Sequence, residues 1–273
     1  MDFNNIICFM NGYDYVDLDN KNIIKLESSS SSKGNQNKYY DTINRRYIKE
    51  QFIYQGIKWK DYIVENLSYI IGKQLNTDIK IIKQDIVQLS NGNYGVRSDD
   101  FAIDKQWISI AKITNINNIY DKLDKPSLVF NQLLQVYTDI GIDINEAKNY
   151  LYVMIILDFI LGNEDRHYNN MGIILDNGKY TISPLFDFGL GLFEHDSRYI
   201  GKTLFSAKAL MSGKPFSRDL SNAFDMIINV GGIDTIRNIC SRLSIIPRHL
   251  FPSDLAYEYF IDVYDYIKRE LKL

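Results

Sequence analysis

Along the chain, apolar residues first occur in short runs and later recur at helical spacing, and that change divides the sequence. Runs at 8–10, 23–26 and 47–52 are bounded by Asn, Asp and Gly and read as strands of a small sheet. The polar stretch Ser28-Ser29-Ser30-Ser31-Ser32-Lys33-Gly34-Asn35-Gln36-Asn37-Lys38 separates the last two and reads as a loop. From residue 59, Trp59, Tyr62, Ile63, Leu67, Ile70, Ile71 and Leu75 keep three-four spacing, which predicts an amphipathic helix. Two further strands are expected over 79–89 and 94–98. They are joined by Ser90-Asn91-Gly92-Asn93, whose Asn-Gly accepts the positive φ of a tight hairpin. Beyond about residue 99, helical patterns cover 128–140, 146–161, 220–228, 235–243 and 254–273, with one strand pair set among them. The expected fold class is α+β, with a small antiparallel sheet and one helix in residues 1–98 and a mostly helical part in residues 99–273.

Composition makes this a folded body. Of 273 residues, 45% are hydrophobic and 24% charged, unlike the apolar-poor, highly charged pattern of disorder. The net charge of −3 supplies no global positive field, so neither a direct nucleic-acid partner nor a membrane partner is expected. The 20 tyrosines and 14 phenylalanines are spread over helical faces and strands, which indicates packing and not a platform for stacking bases. The longest apolar run, 150–162, is shorter than the roughly 20 residues a bilayer requires and is interrupted by Asp158, so it reads as a buried helix. Cys8 and Cys240 stand far apart without a CxxC pair, which suggests free thiols in a reducing compartment. The first residues lack the basic and apolar regions of a signal peptide, and the expected localisation is cytoplasmic.

Candidate chemistry concentrates after the buried helix. Gly162 ends it, the polar loop Asn163-Glu164-Asp165-Arg166-His167-Tyr168-Asn169-Asn170 follows, and a hairpin turning at Asp176-Asn177-Gly178 leads to Asp187-Phe188-Gly189. Paired strands lie about 4.8 Å apart, so the hairpin's entrance, with Asp165 and Asn170, and its exit, with Asp187, should be neighbours. Three oxygen-bearing side chains would then converge. Such a set suits Mg²⁺, which takes oxygen ligands and is commonly shared between carboxylates and substrate phosphates. Asn170 and Asp187 are the expected metal ligands, which leaves Asp165 to accept a hydroxyl proton or orient a nucleophile in phosphoryl transfer.

The Asp-x-x-x-x-Asn loop, the hairpin and the Asp-Phe-Gly resemble the catalytic and metal loops of the protein-kinase-like superfamily. The order Asp165-Arg166-His167 is shared with phosphoinositide kinases and with bacterial HipA-like serine/threonine kinases, and the short chain favours the second. The resemblance implies a two-lobed kinase fold, ATP and Mg²⁺ as cofactors, adenine near the 94–101 crossover, and transfer to Ser or Thr of a protein. Ser31 and Gly34-Asn35-Gln36-Asn37-Lys38 resemble that group's Ser-x-x-Gly-x-Gln-x-Lys phosphate loop, so Ser31, Gly34, Asn35, Gln36 and Lys38 are expected at ATP. By the same resemblance Ser31 occupies the place of an autophosphorylated serine, with Ser29, Ser30 and Ser32 equally available. Lys49, in the strand after the loop, is the best candidate for a phosphate-binding lysine, with Lys58 and Lys60 as substitutes. Glu65 lies at the margin of the following helix's apolar face, where it could pair with Lys49. Gly213-Lys214-Pro215-Phe216 is also seen in HipA-like chains.

His167 is expected to brace the catalytic loop, and His195 and His249 to be surface or satisfied core residues. The resemblance further implies a translation factor or aminoacyl-tRNA synthetase as substrate and an antitoxin-type partner, although the chain is too short for the extra N-terminal subdomain of full-length HipA toxins. Two other readings remain at this point: a lipid or small-molecule kinase, and a pseudokinase interaction module that binds nucleotide without turnover.

Overall fold

The computed structural model describes residues 12–26, 36–114, 125–194, 196–217 and 219–273. The expected strand at 8–10, the loop tip with Ser31, Gly34 and Asn35, and His195 lie outside them.

The chain begins with β1 (Asp14–Val16), β2 (Ile23–Leu26), β3 (Lys38–Asp41) and β4 (Arg46–Glu50), then a two-stranded ribbon of β5 (Ile53–Tyr54) and β6 (Ile57–Lys58). Helix α1 (Asp61–Gly72) follows, then the hairpin β7 (Asp85–Leu89) and β8 (Tyr94–Asp99). The strands form a six-stranded sheet in the order β1-β7-β8-β4-β3-β2. The turn between β7 and β8 is the expected one, with Gly92 at φ 78°. The sheet departs from the expected all-antiparallel form at its edge, where β1 pairs parallel with β7. A parallel partner needs a long crossover, and the chain between these strands, which includes α1, supplies it.

The expected strand over 79–89 is formed only from Asp85. Upstream, the backbone pairs instead with a distant segment: Leu185 N donates to Lys80 O at 2.8 Å and Ile82 N to Leu185 O at 3.0 Å. This clip draws the chain before Asp187 against the segment that follows α1.

Below the sheet run β9 (Gln106–Ser109), α2 (Ile110–Thr114), α3 (Pro126–Asp139), α4 (Ile144–Leu161), β10 (Gly172–Asp176), β11 (Lys179–Ile182), α5 (Leu204–Lys208), α6 (Leu220–Gly231), α7 (Ile233–Cys240) and α8 (Asp254–Leu271). The expected strand pair is a three-stranded sheet, because β9 adds to β10 antiparallel. Its hairpin turns through Asn177 and Gly178 at φ 49° and 80°, the left-handed pair that matches strand twist.

The core of the helical part is built around α4, which is buried on nearly every side from Tyr150 to Leu161. Its ends are defined by capping. Asp143 Oδ1 accepts from Asn145 N at 2.8 Å and Glu146 N at 3.1 Å, and Gly162 closes the helix at φ 56°. Val64, Leu67 and Ile71 of α1 join the same core, which locks α1 onto the helical part. A smaller cluster of Val16, Tyr39, Ile48, Val87 and Leu89 packs the sheet. No described helix is long and apolar enough to cross a membrane.

Candidate active site

Lys49 stands on β4, an inner strand, between Lys38 on β3 and Val96 on β8. Because side chains alternate along a strand, Ile48 and Glu50 point to one face and Lys49 to the other. The neighbouring Gly95 permits the close approach, since a Cβ there would lie 2.5 Å from Lys49 O. Glu65 faces Lys49 from α1 and is 1% exposed. Lys49 Nζ contacts Glu65 Oε1 at 2.8 Å and Asp187 Oδ1 at 2.7 Å. The second Glu65 oxygen accepts from Phe188 N at 3.0 Å, so one buried carboxylate holds both the lysine and the Asp187-Phe188-Gly189 stretch. Gly189 fits that contact closely, because a Cβ there would lie 3.0 Å from Glu65 Oε1.

The charges in this centre are mutually stabilised. Burial alone would lower the Lys49 pKa, but Asp187 and Glu65, with Asp61 beyond them, hold it well above the usual lysine value. Burial would likewise raise Asp187. Lys49's charge and hydrogen bond, with Lys38 and Arg166 further away, instead hold it well below the ordinary carboxylate range. Asp187 adopts φ 62°, a left-handed conformation that Asp tolerates better than most side chains.

The catalytic-loop candidates lie at the C-terminal end of α4. Asp165 has a half-exposed side chain, and His167 Nε2 lies 3.8 Å from its Oδ2. The Nδ1 of His167 is buried and without a hydrogen-bond partner among the described residues. Asn170 is buried in a short 3₁₀ turn, Tyr168–Asn170, and its amide Nδ2 donates to Asp165 O at 3.4 Å. That leaves its carbonyl oxygen as the remaining acceptor.

The residue that joins these pieces was in the motif but had no role assigned from sequence. Arg166 is fully buried. Its Nε and Nη2 reach Asp158 on α4 at 3.0 and 2.9 Å, while Nη1 donates to Asn170 O at 3.3 Å and Phe186 O at 3.0 Å. Its guanidinium also lies over the Phe188 ring, 4.5 Å from the centroid. One side chain thus brings the Asn170 end and the Asp187 end of the β10–β11 hairpin together. The available signal was Asp158 itself, a carboxylate inside an apolar run, which must be paired if it is buried.

Gln36 and Lys38 sit where the 27–37 connection enters β3. Lys38 pairs across the sheet with both Leu26 and Lys49, so this connection springs from beside the lysine. The amide of Gln36 is turned inward, with Nε2 donating to Glu50 O and to Asp61 Oδ2, both at 2.7 Å. Asp61 also accepts from Phe52 N at 2.8 Å. Burial pushes the Asp61 carboxyl up to about 7, against the opposing effects of Lys49 and the Phe52 N–H. Of the substitute lysines, Lys60 Nζ donates to Pro252 O at 2.8 Å, and Lys58 lies on the exposed β5–β6 ribbon. At the expected adenine crossover, Phe101 packs on Phe186 with centroids 5.4 Å apart, and Trp107 meets the same ring edge-on.

The donor set suits a hard cation. The ionised Asp187 carboxylate, the Asn170 amide oxygen and the half-exposed Asp165 carboxylate are the kinds of oxygen group that Mg²⁺ takes while keeping waters. Asp187 and Asn170 would hold it.

No family model matches the chain, and no curated protein is a detectable relative of it. Solved structures do resemble it. The Helicobacter pylori proinflammatory kinase CtkA aligns over 93% of this chain and 94% of its own, with a TM-score of 0.55 and 16% identity. Shewanella oneidensis HipA, solved with HipB and operator DNA, aligns over 82% of this chain and 58% of its own, with a TM-score of 0.43 and 13% identity. The chain therefore has a two-lobed, kinase-type fold.

Proposed function

We propose that the protein is an ATP- and Mg²⁺-dependent phosphotransferase that acts on Ser or Thr of a protein, with the 28–32 serines as its own acceptors. The observation that carries this reading is Lys49 held between Glu65 and Asp187, at 2.8 and 2.7 Å. The kinase-type fold shared with CtkA supports it. We place the boundary between the lobes at about residue 98, close to where β8 ends at Asp99.

When bound, ATP with Mg²⁺ supplies the phosphoryl group and neutralises its charge. Lys49 and Lys38 hold phosphate oxygens, and Glu65 keeps the Lys49 ammonium aimed into the cleft. Ser31, Gly34, Asn35 and Gln36 shape the phosphate loop, Gln36 by anchoring its exit to Asp61. Asn170 and Asp187 would hold the metal. Asp165 accepts the proton of the attacking hydroxyl, and His167 braces it. A translation factor or aminoacyl-tRNA synthetase as substrate, and an antitoxin-type partner, rest on the motif resemblance alone.

Radiolabelled ATP incubated with wild type and Asp165→Ala, followed by phosphosite mapping, tests the reading. Incorporation should fall by roughly 10²–10⁴-fold, the usual contribution of a general base. Equal incorporation by the two proteins overturns it.

A further inference from the structure

The loop that carries Asp165 holds a second carboxylate for which phosphoryl transfer assigns no role. Glu164 Oε1 accepts from Ser212 N at 2.8 Å, and its Oε2 accepts from the Tyr199 hydroxyl. Tyr199 is 3% exposed. Burial first, and then the Glu164 charge, push its phenol well above the usual value, so it remains a protonated donor. One carboxylate thus ties together both ends of the chain from Tyr199 to Ser212. A third contact reinforces the far end, because Met211 packs against Gly162, where a Cβ would lie 2.6 Å from Met211 Cε. The strap between these anchors carries α5, whose Phe205 is 86% exposed, and Ile200, at 60%. It follows the Asp187 segment in the chain and is fastened one residue from Asp165. Lys49, Lys38 and Glu65 belong to the sheet side and make none of these contacts.

We infer that Glu164 is a positioning residue that holds the 199–212 strap in register with Asp165, so that it sets the alignment of the acceptor hydroxyl and leaves nucleotide binding alone. This rests on the phosphotransferase reading. A charged carboxylate that accepts two hydrogen bonds, one from a buried phenol, fixes a surface segment more firmly than neutral loop contacts do. The middle of the strap is seated by Ala207 in the core and by Lys208, which pairs with Asp262 of α8, while Glu164 fixes its two ends beside Asp165.

The test compares wild type, Glu164→Ala, Glu164→Gln and Tyr199→Phe by three measurements: transfer to dephosphorylated casein, affinity for a fluorescent ATP analogue, and amide hydrogen exchange. Glu164→Ala should lower kcat/KM for casein by about tenfold or more, as expected for loss of charged hydrogen bonds. Tyr199→Phe and Glu164→Gln, which each keep one anchor, should fall between it and wild type. Analogue affinity should not change. Amides near Ser212 should exchange faster while those of α4 keep their protection, which also shows that the variants fold. If the strap exchanges at the wild-type rate, or if transfer and nucleotide affinity fall together, the inference is wrong. A wild type that binds the analogue but transfers nothing to casein or to itself removes the phosphotransferase reading and this inference with it. A wild type that transfers no better than Glu164→Ala removes this inference alone.

Discussion

Two ion-paired centres flank the candidate cleft, and they differ in access to water. At Lys49, 20% of the lysine side chain and 33% of Asp187 are exposed, whereas the pair of Arg166 and Asp158 is 0% and 5% exposed. The residue types match the settings. An ammonium on a flexible stem can exchange one oxygen partner for another, and Lys49 already touches two acids. A planar guanidinium is pre-organised, and Arg166 uses its fork on one helix acid, two carbonyls and one ring. The wet centre keeps its ammonium open to solvent, and the dry one ties α4 to both ends of the hairpin.

The comparison can be broken most directly at the dry centre. Arg166→Met leaves the buried Asp158 without a countercharge, held only by the Asn163 amide at 2.7 Å, and should cost about 3–5 kcal/mol in urea denaturation, the range for a broken buried pair. A loss below about 1 kcal/mol would mean that the pair is not a brace, since that is what exposed pairs contribute. Joining Asp158→Leu to Arg166→Met should restore much of the stability while transfer stays low, because the Asn170 and Phe186 carbonyls remain unheld.

At the wet centre the balance should reverse. Lys49→Met should lower phosphoryl transfer by about 10²-fold or more, the scale of a lost electrostatic clamp. It should cost less stability than Arg166→Met, because Asp187 keeps solvent and Glu65, although 1% exposed, keeps the Phe188 N–H. A loss of stability as large as that of Arg166→Met would erase the distinction.

A pH-dependent effect concerns Asp61, a buried acid near the wet centre. Its carboxyl titrates near 7 in the folded protein, against about 3.8 when unfolded. The unfolded chain therefore releases this proton first, so its contribution is fully present below about pH 4, declines as pH rises and is gone above about 7. Asp61→Asn removes that decline. Relative to wild type, the variant's stability should grow from pH 4 to 7 and then level off. A constant difference across that range would show that Asp61 is already ionised in the fold.

The helical part was the more legible in sequence because its long helices carry their own signal, whereas the five-residue helices Ile110–Thr114 and Leu204–Lys208 are too short to show a period. The apolar run of α4, its Asp143 cap and its Gly162 stop are local features. The sheet was harder. Asp14–Val16 and Lys38–Asp41 lie in polar stretches, and they become strands through partners far along the chain, Val87–Leu89 and Arg46–Lys49. Ile79 and Ile81 alternate as a strand would, but the backbone at Lys80 and Ile82 pairs with Leu185 instead. In the site, Asp165, Asn170 and Asp187 stood out by spacing, and Lys49 and Glu65 by order. Arg166 and Glu164 did not, because their significance lies in what they touch: a helix acid in one case, a tyrosine and a backbone amide in the other.

The contact between Lys49 and Asp187 spans 138 positions. During synthesis the lysine, its helix carboxylate and the exposed acid of the loop all leave the ribosome before the residue that completes the charge cluster. A nascent polypeptide that ends before Asp187 lacks the residue that completes the cluster, so the three charges can meet only late in synthesis.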